Sequence, residues 1–243
     1  MTLRVHLEDG GKAALLATVL EARGPRLVLD RSIFYGGTGA YRHPAPADRG
    51  HLVVAGHKLK LVSVRETREG RLVHEVRGPP PPAGARAQLH LDVERRREAM
   101  RAHAAAHLVA GALAARGVGF AAPVEVVGGG QAKLVLDVAP GAAPKLLAEA
   151  VSEARAAVAA KARIVTRWAT REEARRAETP SPTPVGDLPA GVDPVRLVAI
   201  GERCVVACDG PHLAHAGDVG DVAVADVRPR ENGVRAMLKV ARC

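Results

Sequence analysis

The chain reads as an α+β protein, a small N-terminal β-barrel-like domain followed by an α/β two-layer domain. Three observations predict this. Short apolar runs separated by Gly, Pro and charged turns fill the first ninety residues, the spacing of a small sheet or barrel. At Asp92 the apolar period changes to three and four, which marks a helix. Beyond it helical and strand patterns alternate to the C-terminus, as α/β units do. These changes set the domains at 1–91 and 92–243.

The runs 14–20, 26–33, 51–54, 58–64 and 71–76 predict strands. Four consecutive prolines, Pro79 to Pro82, lie between Gly78 and Gly84; they can neither continue a helix nor donate to a ladder and so form a stiff connector. One more strand, 86–91, ends at Asp92, a residue type that caps helices. From there to about Arg116 the pattern is helical in an Ala-rich background, and Gly117 ends it. A hairpin over 124–127 and 133–138 follows, then a helix over 144–161, a strand over 162–168 and a charged helix over 170–177. The segment 178–194 carries five prolines and reads as an exposed loop. Strands at 195–200, 204–208, 219–227 and 234–240 complete the α/β unit, the last two joined through Asn232-Gly233.

Composition bounds the function. Of 243 residues, 35 are Lys or Arg and 26 Asp or Glu, a net charge of +9, with 47% hydrophobic residues. That balance excludes a disordered tail and points to a folded protein with an anionic partner, nucleic acid first. Part of the Arg excess also follows from an Arg-, Ala-, Gly- and Val-rich composition of the kind a GC-rich genome produces. With only two Phe, two Tyr and one Trp, base-stacking modules of the RRM or OB type are disfavoured. Phosphate contacts or recognition of a nucleic-acid end remain. No apolar run approaches a membrane span, the start MTLRVHLEDG has no signal-type hydrophobic region, and Cys204, Cys208 and Cys243 are too few for a disulfide framework. A cytoplasmic protein is expected.

Two pairs of side chains carry the chemistry. His103 and His107 are four apart within the predicted helix, so both imidazoles share one face. Cys208 and His212 bracket Asp209-Gly210-Pro211 at a strand end, where a Gly-Pro turn lets the chain fold back. Three nitrogens and one sulfur suit a tetrahedral Zn²⁺, one per chain. No His-Glu-x-x-His occurs, which removes the metalloprotease reading.

The run from Leu91 to Leu108, with Arg95-Arg96-Arg97, Met100-Arg101 and His103-Ala104-Ala105-Ala106-His107-Leu108, resembles the helix of the alanyl-tRNA editing proteins. Cys208-Asp209-Gly210-Pro211-His212, followed by Gly217-Asp218-Val219-Gly220, resembles that family's second motif. Ile33 to Gly39 with Asp48-Arg49-Gly50 is similar to its glycine-rich motif, and Arg163 to Glu173 to the segment after its second helix. The likeness spans nearly the whole chain.

The resemblance implies a freestanding relative of the alanyl-tRNA synthetase editing domain that hydrolyses the ester of a mischarged tRNA, most often a seryl ester on tRNA(Ala). It implies His103, His107, Cys208 and His212 as zinc ligands and the tRNA acceptor end as partner. Asp92, Asp209 and His215 are chemically capable of serving as general base; Asp92 equally suits a cap and His215 a solvated surface. Amides around Gly36, Gly37 and Gly39 are candidates for cradling the terminal adenosine or the carbonyl oxygen. Arg95, Arg96, Arg97 and Arg101 begin the zinc helix, and of these Arg97 and Arg101 are the chosen phosphate contacts. Three departures stand out. Residues Ala40 to Ala47 intervene before Asp48 without the family's Gln; Ala104 replaces a hydroxyl residue; and Pro211 replaces a Thr. The last gives a likeness to the threonyl-tRNA synthetase editing domain, so a deacylase of seryl-tRNA(Thr) and a non-catalytic, zinc-dependent tRNA binder are the alternatives.

Overall fold

The computed structural model describes every residue except Met1, Thr38, Ala40, Arg42, Arg68, Glu69, Arg203, Arg242 and Cys243. Cys243 and three residues of the glycine-rich and inserted stretch (Thr38, Ala40 and Arg42) thus lie outside the described residues. The chain is mixed α and β and divides into two compact units, Met1–Gly39 with Pro46–Arg97, and Ala40–Ala45 with Glu98–Cys243. No helix is long and apolar enough to cross a membrane.

The first unit is a closed six-stranded barrel. After a short strand β1 (Leu3–Arg4), the strands are β2 (Ala14–Arg23), β3 (Arg26–Leu29), β4 (Arg31–Ser32), β5 (Gly50–Val54), β6 (His57–Glu66), β7 (Leu72–Arg77) and β8 (Arg86–Leu91). The barrel order is β2-β3-β7-β6-β5-β8, and β1 pairs with β4 outside it. Alternation supplies the interior: Leu27 and Leu29, Leu52 and Leu59, Ala87 and Leu89 all point inward and are buried. Closure needs curvature, which bulges provide. Between Leu61 and Ser63 the β6–β7 register shifts, so the buried set on β6 steps from Leu59 and Leu61 to Val64 and leaves Val62 outside. A second shift, between Val19 and Glu21, bends β2.

An ion pair sits inside this unit. Arg96 and Asp48 have side chains only 2% and 6% exposed. Arg96 Nε donates to Asp48 Oδ1 at 2.9 Å and its two terminal nitrogens reach Asp48 Oδ2, the Gly10 carbonyl and the Ile33 carbonyl. Asp48 Oδ2 also accepts the Tyr35 N–H at 2.5 Å. Four of the five guanidinium N–H groups thus have acceptors, close to the condition under which a buried pair is tolerated. Of the run from Arg95 to Arg97, Arg96 is thus spent on internal acceptors. One hundred degrees of helix rotation per residue places Arg96 inside and leaves its neighbour Arg97 exposed, with Glu94 3.6 Å away.

The helix α1 (Val93–Ala114) starts in the first unit, where Asp92 Oδ1 accepts the Arg95 N–H at 3.2 Å, and from Glu98 belongs to the second. From Ala102 to Ala110 every residue of α1 is buried, so the helix is a core element with small residues on all sides. It is followed by β9 (Gly119–Phe120), β10 (Glu125–Gly128), β11 (Gln131–Asp137), α2 (Ala143–Ala159), β12 (Ile164–Ala169), α3 (Arg171–Ala177), β13 (Val195–Ile200), β14 (Cys204–Ala207), β15 (Asp221–Arg230) and β16 (Gly233–Ala241). One sheet runs β10-β11-β16-β15, with β9 also on β11; the other is β12-β13-β14. A single apolar cluster joins α1 and α2 to both sheets, through Leu134 and Leu238 in one and Val198 and Val206 in the other. Thr170 caps α3 in a reciprocal box with Glu173.

The segment 178–194 is not the exposed loop its prolines suggest. Thr183, Val185 and Leu188 are buried, and Val185 and Leu188 share a cluster with Tyr41, Ala174 and Leu197. Glu178 accepts the Val185 N–H, and Arg171 donates to the Leu188 and Pro189 carbonyls. Prolines remove donors that need partners, which makes such a segment easy to bury.

Replacing one member of the Arg96 and Asp48 pair strands the other charge. Asp48→Ala or Arg96→Met should each cost about 3–5 kcal/mol in urea unfolding, whereas the double change to apolar residues should cost less than their sum.

Candidate metal centre

The first pair of candidates sits as the helical spacing requires. His103 and His107 project from one face of α1 with ring centroids 4.5 Å apart, both buried. The second pair comes from the turn after β14. Cys208 is fully buried, and the Cβ that any other residue would carry at 210 would lie 2.6 Å from His103 Cε1. Glycine is therefore what lets the turn close over the imidazole. His212 Nε2 then comes within 3.3 Å of Cys208 Sγ, and His103 Nε2 within 3.5 Å of the same sulfur. The rings of His103 and His212 stack at 4.6 Å. The structure thus brings all four expected ligand side chains together.

It also brings a fifth. His43, from the 40–45 segment, is 3% exposed and points Nδ1 at Cys208 Sγ from 3.4 Å. The set in which every pair of donor atoms lies within 4.8 Å is His43, His103, His107 and Cys208. His212 touches the sulfur but is not in that set. These four buried residues could hold a metal ion.

The electrostatics are those of a dry pocket. Burial pulls His103 down to about 3 and His43 to about 4, and drives His107 and His212 well below the ordinary imidazole range. Burial, with the charge of Asp209 second, pushes the Cys208 thiol up to about 12. The imidazoles are therefore neutral, the state in which they ligate, while the thiol must lose its proton to a cation. One nitrogen in the pocket, His107 Nε2, is buried without a hydrogen-bond partner, as is His212 Nδ1 on the ring edge away from the sulfur. Orphaned acceptors like that of His107 are rare in folded proteins and fit a metal. His103 is oriented from behind by a hydrogen bond to the Pro211 carbonyl, the outer support a ligating imidazole needs.

Arg196, buried in β13, holds the ligand turn from below. Its Nη1 donates to the Cys208 and Gly210 carbonyls at 2.7 and 3.0 Å, and its backbone N–H donates to the Tyr41 hydroxyl at 2.5 Å. Asp209 is buried and accepts the Tyr41 N–H at 3.1 Å. Sequence reasoning had no signal for Arg196 or Tyr41, which lie in an apolar strand and an aperiodic stretch.

The remaining candidates fall as follows. Asp92 caps α1, and His215 is exposed beside the isolated bridge to Arg163. Gly36, Gly37 and Gly39 belong to the first unit; a Cβ at Gly36 would lie 3.0 Å from the Val64 carbonyl, and Gly37 has φ +92°. Arg101 donates to the Asp218 carbonyl at 2.9 Å, and Arg97 stays in solvent. Cys204 is buried with its thiol pushed up to about 12 by burial, an inert environment.

A small cavity of about 10 Å³ adjoins the centre, lined by His43, His107, Val124, Ser181, Thr183 and Val206 among others. Ser181 Oγ and Thr183 Oγ1 are buried there without partners. The space matches about one water or hydroxyl.

No protein-family model matches the chain. It is 29% identical over 257 residues to the alanine–tRNA ligase of Halorubrum lacusprofundi, covering 99% of this chain and 26% of the ligase. The alanine–tRNA ligase of Halobacterium salinarum is 31% identical over 217 residues, 87% of this chain and 22% of the ligase. That of Pyrococcus abyssi is 27% identical over 249 residues, 98% and 25%. The chain spans about a quarter of the length of these curated relatives. Over nearly its whole extent, therefore, it is a relative of the archaeal alanine–tRNA ligases, in keeping with the likeness to alanyl-tRNA editing proteins that its two metal-ligand motifs carry.

Proposed function

We propose that this chain is a zinc-dependent deacylase that hydrolyses the ester of a mischarged tRNA, with seryl-tRNA(Ala) as substrate. The observation that carries the reading is the buried cluster of His43, His103, His107 and Cys208, with His212 against the same sulfur, in a chain matched over 99% of its length by an alanine–tRNA ligase. In the reaction water adds to the aminoacyl carbonyl, and the bond to the ribose oxygen breaks to give free amino acid and a tRNA hydroxyl. Zinc, when bound, supplies a Lewis acid for the carbonyl or amino group. By the two motifs, His103, His107, Cys208 and His212 would hold it. Arg196 and the Pro211 carbonyl keep the ligands aimed, and burial excludes bulk water from the reacting ester.

For proton transfer, Asp209 is the carboxylate nearest the ligand turn in sequence, adjacent to Cys208, and His215 and Asp92 are the other candidates. Among these, Asp92 already has a capping role. Arg97 and Arg101 are proposed contacts for backbone phosphates, and Gly36, Gly37 and Gly39 for the 3′ end.

The hydroxyls of Ser181 and Thr183 bear on selectivity. A site that hydrogen-bonds a substrate hydroxyl discriminates far better than an apolar one. The motif positions at Ala104 and Pro211 offer none, whereas Ser181 and Thr183 present two unpartnered oxygens beside His43 and His107. Pro211 keeps seryl-tRNA(Thr) as the second substrate to test.

The barrel supports an RNA partner by itself. Side chains directly opposite one another across four strands run His90, His51, Lys60, Arg77. The two imidazoles stack at 4.7 Å, and His51 is held below its ordinary value by partial burial, then by Lys58 and His90. Arg49, Lys58, Lys60 and Arg77 are exposed and line a cleft of about 540 Å³ with His51. None of the four forms a salt bridge among the described residues. Like charges facing each other across a sheet are destabilising, and a phosphate backbone relieves that cost.

Three measurements test the reading. Purified protein incubated with seryl-tRNA(Ala) and seryl-tRNA(Thr) should release serine in a chelator-sensitive reaction, and His103→Ala or Cys208→Ala should abolish it. Tight tRNA binding with no release would instead establish the non-catalytic binder. Thr183→Val should lower kcat/KM for the seryl ester at least about tenfold relative to an alanyl ester; equal losses on both would remove the hydroxyl role. Neutralising Lys58, Lys60 and Arg77 together should reduce the slope of log affinity against log salt by about 2–3, and an unchanged slope would move the RNA contact off this face.

A further inference from the structure

We infer that His43 is a ligand of the metal this chain binds, so that the donor set is His43, His103, His107 and Cys208, with His212 against the sulfur but outside that set. The inference rests on the metal reading of the preceding section and extends it to a residue that neither motif contains.

Three nitrogens surround Cys208 Sγ at nearly one distance: His43 Nδ1 at 3.4 Å, His103 Nε2 at 3.5 Å and His212 Nε2 at 3.3 Å. For a sulfur and nitrogens sharing one zinc-sized ion at ordinary bond lengths, the separation between donors is about 3.3–3.6 Å. His43 meets that spacing as well as either motif histidine. It also lies with His103, His107 and Cys208 in the set whose donor atoms are all within 4.8 Å of one another. Its ring centroid is 5.7 Å from that of His107 and 6.1 Å from that of His103.

The position is built, since the chain is fixed on both sides of His43. Two residues before it, the Tyr41 N–H donates to Asp209 and its hydroxyl accepts the Arg196 N–H. One residue after it, the Pro44 carbonyl accepts the Val126 N–H at 2.9 Å. Tyr41 itself is 3% exposed in the cluster with Leu197 and Ala207. The same two residues, Arg196 and Asp209, therefore brace both the ligand turn and the segment that delivers His43. That segment is the inserted stretch that lacks the family's Gln; in its place it carries an imidazole to the metal centre.

Cobalt substitution of the 243-residue chain tests this without reference to activity. The native chain loaded with Co²⁺ should show the strong visible bands of a four-coordinate ion. His43→Ala should shift and weaken those bands and weaken Co²⁺ and Zn²⁺ binding at least about tenfold against a chromophoric chelator. His43→Cys places a second thiolate at the same point and should roughly double the near-ultraviolet sulfur-to-cobalt charge-transfer band. The Cys variant also answers the question if the Ala variant does not fold. Identical visible spectra and affinities for native and His43→Ala protein would overturn the inference while leaving the motif ligands intact, as would an unchanged charge-transfer band in His43→Cys. Failure of the native chain to take up Co²⁺ or Zn²⁺ at all would overturn the metal reading and this inference with it.

Discussion

The constraint on which the candidate centre depends is the exclusion of water from Cys208 Sγ. A thiol and four imidazoles share that space, and burial holds all five neutral. Leaving a buried polar atom without a partner costs about 1–3 kcal/mol, and His107 Nε2 and His212 Nδ1 each incur it. A fold optimised for stability alone would have filled the pocket with leucine. Several sequence features become intelligible as the means of holding it open. The run of alanines in α1 lets strands of both sheets approach the helix that carries two of the histidines. Gly210 lets the turn pass over the His103 ring, and Arg196 offsets its own burial by holding two carbonyls of that turn.

The arginines divide by the same criterion. Arg96 and Arg196 are both 2% exposed and spend their charge on internal acceptors. Others, such as Arg116 with Glu149 and Glu153, are paired at the surface. A net charge of +9 is thus a poor guide to where basicity is available. The barrel row through Lys60 and Arg77 is different, because it is exposed, unpaired and aligned across strands. Basicity that costs stability and has no internal acceptor is the kind that an external anion explains.

This distinction marks how far the sequence could be read. The barrel strands, both long helices and the spacing of His103 with His107 follow from local periodicity, and local periodicity survives folding. The bulge at Val62 does not, because the extra residue is defined only by the register of β6 against β7. The run from Arg95 to Arg97 looks uniform as a string, yet burial separates Arg96 from its neighbours through contacts with Asp48, Gly10 and Ile33, far away in sequence. His43 was illegible for the same reason. Nothing in its own neighbourhood sets a face or a period, and its position comes from Tyr41 being held by residues more than 150 positions downstream. The segment 178–194 misled in the opposite direction, since a high proline content marks both solvent loops and buried segments that have few donors to satisfy.

The departures from the family pattern are connected in space. Pro211 contributes no hydroxyl, but its carbonyl receives the His103 ring, and proline's fixed backbone suits a residue whose task is to present that oxygen. Ala104 is fully buried in the α1 core, where an unpaired hydroxyl would have to find a partner among apolar groups. Hydroxyls occur instead on the opposite wall of the centre, at Ser181 and Thr183, beside His43. Both novel walls, the 40–45 segment and the 178–194 segment, are held by one apolar cluster that contains Tyr41, Val185 and Leu188. A change in either segment therefore alters the packing of the other. The 40–45 and 178–194 segments, which bring His43 and the Ser181 and Thr183 hydroxyls to the cavity beside His107, are thus braced by one cluster.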